Sequence, residues 1–276
     1  MIIDTHTHFY DINRPEHYWP SKDSDIYFVC LPEKYIALAE PEGVTGTVIV
    51  EASPQVVDNE WILSLCEEET FLKGFVGNLP LGTPEFAGNL ERFTQNPLYV
   101  GIRANWGQRE QLLQPNMIDD LKRLADTGRE LDILCGVPAL QGLPELQENV
   151  PGLRVVINHV AGVRIDSNPP DPEWVEAVNV LHDFPDVFMK VSGLVEVYNG
   201  ENRTSLDDYI ETLDIIWEAF GEDRVIYGSN WPVSARFEEY SVVHRLPTEY
   251  LERKSEEAAR KYFYENSKEA YRWPER

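Results

Sequence analysis

Two histidines stand two positions apart near the start of the chain, in Asp4-Thr5-His6-Thr7-His8. On an extended strand successive side chains alternate between faces, so His6 and His8 point to the same side. Two imidazoles placed this way can hold a divalent metal or polarise a substrate oxygen. Asp4, at the start of the same run, reads as a structural hydrogen-bonding residue. A third histidine, His159, lies in Val156-Ile157-Asn158-His159-Val160-Ala161-Gly162, where the glycine lets the chain turn sharply. The other histidines carry less information. His182 falls on a helical stretch and reads as surface, while His17 and His244 fall in long connections from which a site is within reach.

Charged and amide side chains complete the chemical inventory. Arg103 offers a planar fork for a carboxylate or a sugar oxygen, and its alternative is a salt bridge to Glu51. Glu51, closing Val48-Ile49-Val50-Glu51, can bind a metal, accept a proton, or pair with Arg103 or Lys190. Asp166 and Glu196 are candidates for a base by position alone. Asn230, in Gly228-Ser229-Asn230-Trp231-Pro232, can orient water or substrate but takes no proton at neutral pH. Trp231 offers a flat apolar wall, with core packing as its alternative.

These residues need elements to hold them. Short apolar, β-branched runs at 1–9, 44–52, 71–79, 98–105, 131–137, 153–160, 187–193 and 224–229 read as eight strands. Helical patterns follow each of them, at 33–40, 56–69, 84–94, 116–127, 143–149, 172–184, 205–220 and 249–271. Ser205 ahead of early acids and Gly221 at the end punctuate one helix, and Pro172 opens another. Runs such as Val155-Val156-Ile157 are apolar without alternation, as parallel strands buried on both faces are. Dividing the chain by eight leaves about 34 residues per unit, the size of a strand-loop-helix module. The expected fold is therefore α/β, a (β/α)₈ TIM barrel forming a single domain over residues 1–276. An open doubly wound sheet lacks support, since no Gly-x-Gly-x-x-Gly follows the first strand. His6, His8 and His159 then converge on the barrel mouth, under two long connections at 10–32 and 232–247.

Composition narrows the partners. The 276 residues carry 24 Lys and Arg against 48 Asp and Glu, a formal charge of −24, which repels nucleic acid and anionic membrane surfaces. An anionic substrate needs a local positive pocket, which Arg103 can provide. With 42% hydrophobic residues the chain has ample material for a core. Cys30, Cys66 and Cys135 form no disulfide framework, and no apolar run is long enough to span a membrane, so a reducing, cytoplasmic setting is expected.

Taken in order, Ile3-Asp4-Thr5-His6-Thr7-His8-Phe9, Gly101-Ile102-Arg103, Asn158-His159, Lys190-Val191-Ser192-Gly193-Leu194 and Gly228-Ser229-Asn230-Trp231-Pro232-Val233 resemble the amidohydrolase superfamily, in its amidohydrolase-related (amidohydrolase 2) group. Within it the chain looks most like fuconolactonase and 2-pyrone-4,6-dicarboxylate lactonase relatives. The segment from Glu265-Asn266-Ser267 to Tyr271-Arg272-Trp273 resembles that group's closing helix, so the likeness runs from residue 1 to about 273.

The resemblance implies a hydrolase of carbohydrate or organic-acid metabolism that opens a small lactone or related ester. It places His6, His8 and His159 around the substrate carbonyl and Arg103 against an anionic or polyhydroxylated substrate, while Asn230 and Glu51 are expected in catalysis, and Trp231 against the substrate, from their own chemistry and position. It also implies either one divalent ion such as Zn²⁺ on His6, His8 and His159, to which Glu51 is added by its position, or metal-independent activity, and it is compatible with a homo-oligomer. Two departures matter. Asn230 stands where the group usually has the aspartate that serves as base, and Cys135-Gly136-Val137-Pro138 replaces a strand-five histidine found in other branches. Two alternatives follow: a metal-dependent decarboxylase or amide hydrolase of the same superfamily, and a non-catalytic small-molecule-binding paralogue.

Overall fold

All eight apolar runs become strands that pair in parallel with their sequence neighbours. They are β1 (Ile3–Thr7), β2 (Gly46–Val50), β3 (Leu72–Gly77), β4 (Tyr99–Trp106), β5 (Glu130–Cys135), β6 (Val155–Ile157), β7 (Val187–Val191) and β8 (Val225–Tyr227). The computed structural model describes residues 1–166, 168–200 and 202–276. The sheet closes between its first and last members. Asn230 N–H donates to the His6 carbonyl and His8 N–H to the Trp231 carbonyl, both at 2.9 Å. Helices surround the strands, giving a single-domain (β/α)₈ TIM barrel.

The barrel has two apolar layers and a polar one. Inside, Ile3, Val48, Val76, Val100, Val156, Phe188 and Ile226 pack around Ala270, Tyr271 and Trp273 of the closing segment, which plugs the end where the strands begin. Outside, the opposite faces of the same strands pack on the helices, with residues such as Ile49, Ile133, Ile157 and Met189. This explains the uninterrupted apolar runs: both faces are buried. Above the inner apolar layer the barrel interior turns polar, with Asp132, Asn158 and Lys190 fully buried.

Strict alternation along β1 would leave both histidines outside. Ile3 faces the interior cluster, and Asp4 faces outward, accepting hydrogen bonds from the Tyr35 hydroxyl at 2.7 Å and the Tyr240 hydroxyl at 3.4 Å. The β1–β2 register shifts between Asp4 and Thr7, and past that irregularity His6 meets the buried Lys190. The histidines do share a side, as expected, but the register irregularity rather than the simple alternation selects it.

The helices differ most near the C-terminus. The stretch expected to be a connection at 232–247 folds half-way into a helix, Tyr240–Leu251, that carries Pro247 inside it. The expected helix at 249–271 is interrupted after Leu251 and restarts at Ser255, whose hydroxyl accepts from Ala258 N–H and caps Glu256–Arg260. His244 consequently lies on a helix, buried against the Tyr227 hydroxyl at 3.1 Å, away from the mouth. His17 is turned to the Pro20 carbonyl and His182 to the Ala219 carbonyl. The three cysteines are free and buried. Among the described residues, no helix is long and apolar enough to cross a membrane.

Candidate active site at the barrel mouth

At the C-terminal ends of the strands lies a cavity of about 520 Å³ walled by His8, Glu51, Arg103, His159 and Asn230. Four further amide or aromatic side chains join them. Asn78 and Asn105 extend from β3 and β4, and Tyr18 and Trp19 fold over from the connection after β1. The connection was expected over the mouth, but only its general place was legible, not the two aromatic rings it contributes. A larger groove of about 730 Å³ lies on the outer helices, lined by Pro169, Pro170 and Pro172 with few polar groups, and offers no comparable chemistry.

Local backbone geometry aims His159 and the amide. His159, Val160 and Ala161 all have positive φ, 49° to 55°, a conformation that costs non-glycine residues on the order of 1–3 kcal/mol each. The tight turn presents His159 to the cavity, with its Nδ1 2.9 Å from the Ser192 hydroxyl. Gly193 leaves it room, since a Cβ there would lie 2.9 Å from His159 Nδ1. Asn230 also has positive φ, at 61°, a region that Asn tolerates better than most residues. Its amide stands between His8 Nε2 and Glu196 Oε1, 3.2 Å from each. Sequence position had offered Glu196 as a candidate base, and the structure places it one amide away from His8.

His6 and Trp231 are elsewhere. His6 is fully buried beneath His8 and His159, with ring centroids 5.0 Å and 4.3 Å from theirs. Its Nδ1 receives a hydrogen bond from Lys190 Nζ at 3.3 Å, and its Nε2 has no partner. Trp231 is 2% exposed and packs on Tyr35 and Phe9, so its packing alternative is the one realised, and Trp19 supplies the aromatic wall. Below His6, Lys190 Nζ donates to Asp132 Oδ2 at 2.7 Å, and Asn158 and Tyr271 donate to the same carboxylate. Alternating acids in Glu130-Leu131-Asp132, on a strand otherwise apolar, were the available signal for this network.

Charge states follow from burial. Burial and the nearby Arg103 pull His8 down to about 3, and burial with neighbouring cations lowers His6 and His159 as well, so all three rings are neutral near pH 7. Burial raises Glu51, although Arg103 lies 3.6 Å away and opposes the rise. Arg103 keeps its Nε without a protein partner. Asp166, by contrast, is held low by the Asn168 backbone and side chain and by Arg164, away from the cavity lining.

The donor set does not fit a resident metal. His8 donates Nδ1–H to the Val50 and Glu51 carbonyls and so keeps an Nε2 lone pair able to ligate, but the group facing it is the neutral Asn230 amide and not a carboxylate. With Lys190 as an ammonium donating to His6 Nδ1, the neutral His6 ring is assigned its proton on Nε2, where it finds no acceptor and where a metal would need a lone pair. Among the described residues, no group of three or more His, Cys, Asp or Glu is disposed to hold a metal ion.

Comparison with known proteins agrees with this architecture. A family model described as amidohydrolase matches residues 3–273. An L-fucono-1,5-lactonase of Burkholderia ambifaria is 28% identical over 240 residues, 84% of this chain and 80% of that protein. An amidohydrolase from Burkholderia multivorans, crystallised with bound zinc, superposes with a TM-score of 0.84 at 21% identity, covering 99% of this chain and 100% of the other. A 5-carboxyvanillate decarboxylase from Novosphingobium aromaticivorans, complexed with manganese, superposes at 0.70 with 14% identity, over 99% and 96% of the two chains. At these identities the two solved structures establish the fold alone.

Proposed function

This chain belongs to the amidohydrolase family and is a hydrolase-type enzyme, and on that premise we propose that it opens a small lactone of the sugar-acid or organic-acid class with water. One observation carries the reading: Arg103, with a guanidinium N–H left unpartnered, faces the same cavity as His8, His159 and Asn230. A cationic fork beside neutral imidazoles suits a substrate bearing a carboxylate or several hydroxyls next to a reactive carbonyl.

In this reading Arg103 binds the polar end of the substrate, and Asn78 and Asn105 exchange hydrogen bonds with its hydroxyls. His159 is placed to polarise the carbonyl: with Ser192 donating to Nδ1, its Nε2–H donates to the carbonyl oxygen and to the charge that develops there. Asn230 and His8 orient the water. Attack forms the carbon–oxygen bond, the ring carbon–oxygen bond breaks, and the product is the hydroxy acid. His6 acts from behind, as packing for the other two rings, and no step passes through a metal.

A pH-indicator screen of the purified protein against sugar-acid and dicarboxylate lactones tests this directly. Acid release on at least one of them is expected, reduced at least about 10²-fold by His159→Gln. Folded protein, with and without added Zn²⁺, that turns over nothing in the panel overturns the reading. Including aromatic carboxylic acids separates the decarboxylase alternative, which would release CO₂ instead.

A further inference from the structure

The mouth of this barrel lacks a carboxylate on β8, yet a carboxyl lies one amide away. Glu196, on the turn Leu194–Val197 after β7, accepts from Asn230 Nδ2 through Oε1, and its Oε2 is buried with no partner. The other end of the same amide is 3.2 Å from His8 Nε2. His8 Nδ1 is committed as a donor to two carbonyls, at 2.9 Å and 3.1 Å, so in the neutral ring Nε2 is a bare lone pair.

These donors and acceptors allow two states. An ionised Glu196 accepts only, so it draws Nδ2 toward itself and leaves Oδ1 facing the His8 lone pair. Two acceptors then stand side by side on the cavity wall with no hydrogen between them. A protonated Glu196 can donate, so the amide turns over, and its N–H₂ caps His8 Nε2.

We propose that Glu196 is a positioning residue whose carboxylate holds Asn230 so that Oδ1 and His8 Nε2 together pin the hydrolytic water by its hydrogens, and whose protonation dismantles that site. This rests on the lactone-opening reading for its chemistry, although the switch itself does not. A water held by both hydrogens keeps an oxygen lone pair free for the carbonyl carbon. As that bond forms, the water's proton passes to His8 Nε2, and the new N–H donates to Asn230 Oδ1. The ring carbon–oxygen bond then breaks and the leaving oxygen takes the proton from His8, which returns to its neutral form.

The balance between the two states lies near neutrality. Burial pushes the Glu196 carboxyl up to about 7, opposed by its own backbone N–H, by Asn230, and by Arg203 and Arg236. Burial, with Arg103 beside it, keeps the His8 ring neutral. Activity is therefore expected to be low in acid and to rise as Glu196 ionises.

The test pairs a pH–kcat profile with ¹⁵N-histidine NMR on the full chain. In the wild type, the His8 Nε2 resonance, assigned by its loss in His8→Gln, should move with a midpoint near 7. In Glu196→Gln, whose amide does not ionise, that movement should vanish and the kcat profile should lose its acid limb. Glu196→Asp should restore the limb, and it carries the same test if the glutamine variant fails to fold. A His8 resonance that is flat through neutrality in the wild type, or that titrates unchanged in Glu196→Gln, overturns the proposal. If the resonance behaves as expected and no lactone is hydrolysed, the lactone reading fails while the switch stands.

Discussion

His6 and His8 come from one motif, two residues apart, and end in opposite environments. His8 opens onto the cavity with Nε2 against an amide. His6 is sealed in the barrel interior, with Nδ1 taken by a lysine that is itself ion-paired to Asp132. The difference teaches that spacing fixes which side two residues share, while depth along the barrel axis decides what each can do. The interior network specifies the barrel's polar core, and the mouth retains the unspent hydrogen-bonding capacity that catalysis needs.

Breaking the interior should cost stability, and breaking the mouth should cost activity. The largest effect is expected from Lys190→Met. It strands the Asp132 carboxylate in a fully buried site, still bonded to Asn158 and Tyr271 but without its cation. Removing one partner of a buried ion pair typically costs about 3–5 kcal/mol, which urea unfolding would register as a lowered midpoint. A loss below about 1 kcal/mol would mean that Asp132 simply takes up a proton, and that the pair does not organise the core.

The next effect belongs to the mouth. Arg103→Met removes the cation and leaves Glu51, already raised by burial, free to protonate. An anionic substrate should show a KM raised about 10–100-fold, with unfolding stability changed by less than about 1 kcal/mol. A loss of stability with unchanged KM would make Arg103 a structural partner of Glu51 and move it to the interior side of the comparison.

The sequence made one half of this contrast legible and hid the other. Eight apolar runs announced eight strands because a parallel strand buried on both faces has no polar residue to blur it. The mouth residues His8, His159, Glu51, Arg103 and Asn230 were readable as strand-end groups for the same reason. Depth was not readable. His6 and His8 look equivalent until the register shift of β1 is known, and Trp231 looks as available as Asn230 until its ring is found against Tyr35. Trp19 and Glu196 come from connecting segments, where no periodicity reports direction. The helix Tyr240–Leu251 was obscured by Pro247, which reads locally as a stop but sits inside it.

A smaller effect probes how the mouth is shaped. Gly193 has φ 65°, and a Cβ there would press on the His159 ring, 2.9 Å from Nδ1 and 3.1 Å from Cβ. Gly193→Ala should therefore cost about 1–2 kcal/mol from backbone conformation and displace His159. The expected signature is a kcat reduced about tenfold with KM nearly unchanged, because a ring moved off the carbonyl loses transition-state contact before it loses binding. Equal losses in kcat and stability on recovery at lower temperature would point to packing alone.

The smallest expected effect concerns metal, and it sharpens the comparison most. For His6 to ligate an ion through Nε2, its proton must move to Nδ1, where it would face the Lys190 ammonium, donor against donor. Lys190 would have to lose a proton to relieve that clash, and doing so would break its ion pair with Asp132. Each step draws on the interior network, so a metal at the mouth is opposed by the stability of the core beneath it. Chelator treatment followed by Zn²⁺ addition should accordingly shift the melting temperature by less than about 1 °C and change kcat by less than about twofold. Stoichiometric zinc that survives dialysis would show that His6 carries its proton on the other nitrogen, and that the sealed histidine and the open one work as a pair after all.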